Sequence, residues 1–324
     1  MIYTITLNPS IDYIVEIEEL MLGGLNRIQH EAKLPGGKGI NVSRILKELG
    51  TDSLATGFLG GFTGSFIEQS LEKLDIERRF ITVAGDTRIN IKLKHGEETE
   101  INGPGPQVTT EEANQLLALL AGIGQGDWVV LSGSAPPSLG GGFYARLIEV
   151  CQAAGAEFVI DTTGEALKAA LPSRPLLVKP NHHELAELFG TEINSMEETV
   201  HYGRQLLELG AKQVLVSMAG EGALFLTPEG SYHANAPKGT VINSVGAGDS
   251  MIGGFMAALS GGADLLTAFR TGVAAGSATA FAQDLATGAE IRALLEQVQI
   301  APLSIDDEAA PGPLGKEETD NEDH

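Results

Sequence analysis

Short β-branched runs alternating with amphipathic stretches fill most of the 324-residue chain, and this alternation limits the fold more than any other feature. Segments 128–132 (WVVLS), 158–161 (FVID), 176–179 (LLVK) and 214–217 (VLVS) are apolar on both faces, the pattern of strands buried in a parallel sheet. Segment 2–6 reads the same way. Helical patterns follow at 40–49, 144–154, 165–170 and 182–189. Ser/Thr–x–x–Glu pairs at Thr109/Glu112, Ser195/Glu198 and Thr287/Glu290 mark further helix starts. Parallel strands need long crossovers, so the expected class is α/β: a doubly wound, mostly parallel sheet with helices on both faces.

Two segments break the rhythm. Residues 12–33 and 85–101 read as strands without crossover helices; in 90–94, Ile91 and Leu93 alternate with lysines. A small β-sheet projecting from the main one is the simplest placement, either a lid over a site or a subunit interface. Periodicity stops after Ala301, so one domain over 1–301 and a disordered acidic tail over 302–324 are expected. The tail matters for charge. The chain carries 43 acids against 21 bases, net −22, but residues 304–324 hold eight of the acids and one base. The remaining 35 acids and 20 bases leave −15 on the body. Such acidity excludes nucleic acid and anionic membranes as main partners, since both attract basic surfaces. It leaves room for a small anion held by local cations and amides. A single cysteine, Cys151, rules out an intrachain disulfide, and no signal peptide or 18-residue apolar span is present; a cytoplasmic protein is expected.

With 41 glycines, the loops are where chemistry is to be sought. The phosphate-loop pattern GxxxxGK[ST] fails, because Gly39 follows Lys38 where Ser or Thr should stand; the dinucleotide fingerprint GxGxxG fails as well. The segment 183–187 (HELAE) ends in Glu where a zinc-protease motif needs His. The informative stretch is 243–250, Asn-Ser-Val-Gly-Ala-Gly-Asp-Ser, leading into an apolar small-residue helix. Unpaired amides and partial positive charge at a helix N-terminus make an anion site. An aspartate beside it, Asp249, can take the proton of a hydroxyl attacking a phosphoryl group, with the amides of Gly246, Ala247 and Gly248 stabilising the transferring charge. Taken alone, Asp249 could equally be a helix cap.

Companions sharpen it. Together with 243–256, the stretch Pro35-Gly36-Gly37-Lys38-Gly39-Ile40-Asn41 resembles the paired signatures of the phosphofructokinase-B carbohydrate kinase family, which has the ribokinase-like fold. Segment 179–184 (KPNHHE) is similar to that family's Asn-x-x-Glu element and 217–222 (SMAGEG) to its nucleotide loop. The opening 6–12 (TLNPSID) and 85–92 (GDTRINIK) resemble the hexose-phosphate branch.

That resemblance implies a kinase using ATP and Mg²⁺ on a ketohexose monophosphate. Fructose 1-phosphate, phosphorylated at its 6-hydroxyl, is the first expected substrate and tagatose 6-phosphate the second. A nucleotide-linked oxidoreductase and a non-catalytic sugar-phosphate sensor are readings from other classes; the missing dinucleotide fingerprint opposes the first and Asp249 with its nucleotide loop the second. By the same resemblance Asp12, Gly37 and Asn41 would face sugar hydroxyls. Lys38, Arg88 and Arg27 would meet the substrate phosphate, with Ser134 adding a contact. Lys179 would reach the ATP phosphates, Ser217, Gly220, Gly222 and Gly248 would line the nucleotide, and Val241 and Ile242 with Ala275 and Ala278 opposite would form an apolar slot for adenine. Asn181 and Glu184 would organise Mg²⁺ through water. Pairing of two subunits through the lid is the implied assembly, since apolar Ile89, Ile91 and Leu93 share one face.

Overall fold

The computed structural model describes residues 1–303. Strand β1 (Ile2–Thr6) starts the main sheet, and β2 (Ser10–Glu16) and β3 (His30–Gly36) leave it. Helix α1 (Lys38–Glu48) returns the chain to β4 (Ser53–Leu59), and α2 (Gly61–Lys73) leads to the short β5 (Glu77–Arg78) and β6 (Ile81–Thr82). After β7 (Arg88–His95) and β8 (Glu97–Asn102), helices α3 (Thr110–Leu120), α4 (Phe143–Ala154) and α5 (Gly164–Ala170) alternate with β9 (Trp128–Ser132), β10 (Glu157–Asp161) and β11 (Leu177–Val178). Helices α6 (His182–Phe189) and α7 (Met196–Glu208) precede β12 (Val214–Ser217), β13 (Ala223–Thr227) and β14 (Gly230–Ala234). Helices α8 (Ala247–Ser260), α9 (Leu265–Ala280) and α10 (Gly288–Leu294) and strand β15 (Ile300–Leu303) end the described chain.

The main sheet runs β15-β14-β13-β12-β11-β10-β9-β1-β4-β5, with β6 also on β4. It is parallel from β5 to β12 and antiparallel beyond. Alternate strand residues feed two cores. Val129 and Leu131 face Leu116, Leu147, Leu185 and Leu206 of the helices on one side. Val130 faces Ile45, Phe255, Phe269 and Ile291 on the other, where Phe225 stacks on Phe269 at 5.1 Å. The expected class is therefore the observed one. Small residues explain how α8 and α9 approach so closely: a side chain at Gly272 would come within 2.8 Å of the Met251 carbonyl oxygen.

A second sheet, β3-β2-β7-β8, is built from the two segments that broke the rhythm. Its strands are shifted from the expected bounds: residues 17–29 form a loop, displaying Leu22 and Leu25, between β2 and β3. Along β7, Asn90 and Lys92 are buried while Ile89 is exposed, so the polar face turns inward. The structure corrects two further readings. Pro302 and Leu303 are the end of an edge strand paired with Tyr232 and Ser231, and proline is tolerated there because an edge position needs no inward donor. The rest of the expected tail lies outside the described residues. At Ser195 the side chain accepts from the Glu198 amide, but the Glu198 carboxylate accepts from the Asn194 amide instead of closing the box. Among the described residues, no helix is long and apolar enough to cross a membrane.

Candidate active site

The chain order reverses at β1, whose neighbours are β4 and β9, and ligands in doubly wound sheets lie over the strand ends at such a point. A cleft of about 1310 Å³ opens there, roofed by the inward face of the small sheet and bounded by the start of α8. That is larger than a common one-ligand pocket.

Gly246 is the residue before α8, in the left-handed conformation with φ of 79°, where a Cβ would also lie 2.6 Å from Leu285 Cδ2. The left-handed backbone is what favours glycine there, since the leucine tip can move. Asp249 is consequently the third residue of the helix and caps nothing; its Oδ2 accepts a hydrogen bond from Asn41 Nδ2 at 2.8 Å. Only 6% exposed, it has its pKa pushed up to about 6. Burial is the main cause and the Asp161 charge adds to it, against Lys38, the Asn41 bond and Lys179. The amide reading needs one correction. The Ala247 N–H is taken by the Ser244 carbonyl at 3.2 Å in the tight turn, leaving Gly246, Gly248 and Asp249 with amides that have no protein acceptor among the described residues.

Asp161 is a site residue that sequence reasoning missed, because it looked like the last residue of a strand. In register, Thr6, Ser132 and Asp161 form a row across the ends of β1, β9 and β10. The Asp161 carboxylate, 3% exposed, sits between two ammonium groups: Lys38 Nζ at 2.9 Å from Oδ2 and Lys179 Nζ at 3.6 Å from Oδ1. Burial would raise its pKa, but the two lysines outweigh that and hold it low. Burial would lower the Lys38 pKa, and Asp161 and Asp249 together lift it instead. No local motif marks this ion cluster; only strand register assembles it.

Asp12, Gly37, Lys38, Asn41, Arg88 and Ser134 all line the cleft. Asp12 Oδ1 accepts from Ser10 Oγ at 2.8 Å and from Asn90 Nδ2 at 3.2 Å. Arg88 is fixed by the Asn8 and Gly103 carbonyls, each at 3.2 Å, with no carboxylate ion pair among the described residues. Arg27 is not brought in: it stands exposed on the 17–29 loop, away from the cleft lining. Asn181 and Glu184 meet at the start of α6 in a reciprocal cap, Oδ1 accepting from the Glu184 amide at 2.8 Å and Oε2 from the Asn181 amide at 2.9 Å.

On the far side, Lys179, Ser217, Gly220, Gly222 and Val241 line the cleft. Gly220 faces open space, whereas Gly222, with φ of 88°, is required because any side chain would meet the Ala234 carbonyl of β14. Ala275 and Ala278 are corrected: both are buried in the core, at 0% and 3% exposure. Neither lines the cleft, whereas Val273, Gly276, Ser277 and Ala280 of the same helix do.

The sequence matches the family described as pfkB family carbohydrate kinase over residues 5–292. It is 52% identical over 303 residues to the 1-phosphofructokinase of Bacillus subtilis, covering 94% of this chain and all of that one. It is 37% identical to the D-tagatose-1-phosphate kinase of Bacillus licheniformis, again over 94% of this chain and all of the relative. The structure of phosphofructokinase-2 from Escherichia coli in complex with fructose-6-phosphate superposes with a TM-score of 0.86 at 32% identity, covering 91% of this chain and 98% of that one. The match reaches from β1 into α10 and takes in the cleft, the Asp249 turn and the Asn181–Glu184 cap, so the chain belongs to the pfkB family of carbohydrate kinases.

Proposed function

We propose that this kinase transfers the γ-phosphoryl group of ATP to the 6-hydroxyl of fructose 1-phosphate, giving fructose 1,6-bisphosphate and ADP. The observation that carries the reading is Asp249: a buried carboxylate, pKa about 6, at the start of a helix whose free amides open on the cleft. Such a group is ionised at neutral pH yet basic enough to receive a hydroxyl proton. As the hydroxyl oxygen attacks, the Gly246, Gly248 and Asp249 amides receive the charge on the transferring group. Asp12 and Asn41 orient the sugar, and Arg88, with its guanidinium anchored by two carbonyls, holds the substrate phosphate.

Lys179 reaches toward the α8 turn, its Nζ 3.0 Å from where a Gly248 side chain would begin, and meets the ATP phosphates there. Ser217, Gly220, Gly222 and Val241 line the nucleotide side. No group of three or more His, Cys, Asp or Glu side chains able to hold a metal occurs among the described residues. That fits Mg²⁺, which keeps most of its water and takes phosphate oxygens. The second oxygen of Glu184, outside the cap, would hold the ion's water, with Asn181 fixing the carboxylate; the ion supplies charge neutralisation on the phosphates.

Measuring ADP release over a panel of sugar phosphates tests the substrate. The 37% identical relative moves the second reading from tagatose 6-phosphate to tagatose 1-phosphate, and the panel includes both. Arg88→Ala is expected to raise KM for the phosphosugar at least tenfold while leaving KM for ATP within twofold; equal effects would remove Arg88 from the phosphate site. A cytoplasmic location, where ATP is supplied, accompanies this function.

Homodimer formation through the small sheet is part of the proposal. Ile89 (41% exposed) and Ile101 (56%) lie on its outward face, where Ile91 pairs in register with Ile101. Ile101→Lys is expected to shift the protein to monomers in sedimentation velocity, and an unchanged sedimentation coefficient would place the interface elsewhere.

A further inference from the structure

We infer that Asn102-Gly103 is a site of spontaneous covalent modification, where the chain's own backbone converts the asparagine to aspartate and isoaspartate. The change loosens Arg88 and so weakens phosphosugar binding, a consequence that rests on the role of Arg88 proposed above. This is the one Asn-Gly pair in the sequence, and it stands at the end of β8. An asparagine side chain is lost when the next residue's amide nitrogen attacks its carbonyl carbon, and glycine leaves that nitrogen unscreened by a Cβ. The fold leaves the pair open to this attack. Asn102 is exposed and lines the cleft, so water reaches it. Side chains alternate along a strand, so it faces away from Ile101 and the proposed subunit interface. Its amide is held by one contact, Nδ2 donating to Glu100 Oε2 at 3.2 Å, and Oδ1 accepts nothing among the described residues. The Gly103 N–H, just beyond the strand, likewise has no acceptor among the described residues. The two Asn-Ser pairs are better held. Asn243 is tied at both atoms, Nδ2 donating to the Gln283 carbonyl at 3.2 Å and Oδ1 accepting from the Val245 amide at 3.0 Å. Asn194 precedes Ser195, whose side chain caps α7.

In the reaction the Gly103 nitrogen forms a bond to Asn102 Cγ, and Nδ2 leaves as ammonia, taking the Gly103 amide hydrogen. The cyclic imide then adds one water at either of its carbonyls; nothing is oxidised or reduced. One opening gives aspartate. The other gives isoaspartate, whose main chain runs through the former side-chain carbon and is one atom longer. That atom matters because the Gly103 carbonyl accepts from Arg88 Nη1 at 3.2 Å. The segment has little slack: a Cβ on Gly103 would lie 3.2 Å from the Ile89 oxygen and 3.3 Å from Arg88 Cβ. The next carbonyl, of Pro104, accepts from Asn8 Nδ2 at 3.2 Å, and the Asn8 carbonyl is the other anchor of the guanidinium. A longer main chain at this point displaces one anchor of Arg88 and strains the other.

The test incubates the wild-type protein at pH 6 and at pH 8 and follows its peptides by mass spectrometry. Isoaspartate is told from aspartate by its resistance to endoproteinase Asp-N. The peptide carrying Asn102 is expected to exchange NH for O several times faster than those carrying Asn194 and Asn243. It should do so faster at pH 8, because the attacking nitrogen must lose its proton. In the converted enzyme, KM for fructose 1-phosphate is expected to rise about tenfold, the scale of one hydrogen bond to a charged group, with KM for ATP within twofold. Asn102→Gln, which would have to close a larger ring, is expected to keep its own starting KM through the same incubation. Conversion no faster at Asn102 than at Asn194 and Asn243, or conversion without isoaspartate, would overturn the inference. If the converted enzyme keeps its KM while Arg88→Ala raises it, the coupling to Arg88 is overturned. If Arg88→Ala has no selective effect, the phosphate-site reading is what falls, and the mass record alone decides the modification.

Discussion

Asp249→Asn is expected to lower kcat by roughly 10²–10⁴-fold, the contribution of a positioned general base, while phosphosugar binding measured by calorimetry stays within a few-fold. Asparagine keeps the size of the side chain and an oxygen for the Asn41 Nδ2 donor, so geometry is retained and proton acceptance is lost. Near-normal turnover would remove Asp249 from the mechanism. A second readout has the opposite sign. The folded-state pKa of about 6 lies above the ordinary aspartate value of 3.8. A group with a raised folded pKa contributes its stability below the unfolded pKa and loses it as pH rises through the folded one. At pH 8 the buried charge is thus a burden on the fold that asparagine lifts. Relative to wild type, the variant's Tm should be higher at pH 8 than at pH 4. A functional carboxylate held at a cost in stability is expected to behave this way.

Asp161→Asn is expected to do the reverse, damaging stability and activity together. The carboxylate separates Lys38 from Lys179, and its loss leaves Lys179, 6% exposed, as a buried cation without an ion-pair partner among the described residues. Removing one partner of a buried pair costs about 3–5 kcal/mol, and the partial exposure of Lys38 favours the lower end. For a chain of this size that is a fall in Tm of about 6 °C at neutral pH. Because the Asp161 pKa is held low, the stabilisation it gives exists above the unfolded pKa and fades as pH drops through the folded one. The gap between variant and wild type should therefore narrow in acid.

With both lysines displaced, kcat/KM is expected to fall about 10²-fold, the scale for a misplacement of about 1 Å in a catalytic site. The acid limb of the pH profile adds a specific signature. In wild type it falls near the Asp249 pKa of about 6. Asp161 is one of the groups that raise that value, while Lys38 and Lys179 lower it. Deleting the Asp161 charge removes the repulsion and leaves the lysines unopposed, so the limb should move to lower pH. A variant that loses activity with an unmoved acid limb would show that Asp161 acts on packing alone.

Much of this site was legible as motifs. The turn before α8, the Pro35–Asn41 stretch, the Asn181–Glu184 pair and the 217–222 loop each need particular small or polar residues at fixed local spacing, and local spacing survives in a linear sequence. The expected adenine slot was less legible: Ala275 and Ala278 have the right residue type, but sequence alone does not say which face of a buried, small-residue helix is turned to the cleft. Arg27 likewise has the right charge, on a loop that the single chain leaves away from the cleft.

The sequence by itself determined the α/β class, the small second sheet and the family, because strand–helix alternation and glycine-bounded turns are set by nearest neighbours along the chain. It also singled out Asp249 as the candidate base and 246–249 as the candidate anion-binding turn. Only the tertiary structure decided that Asn41 and Asp249, 208 residues apart, share a hydrogen bond, and that Asp161 lies between two lysines. It also decided which amides of the turn remain free. The physical reason is that a parallel sheet aligns residues by register across crossovers of dozens of residues, so charges that shift one another's pKa values have no spacing in the sequence to announce them.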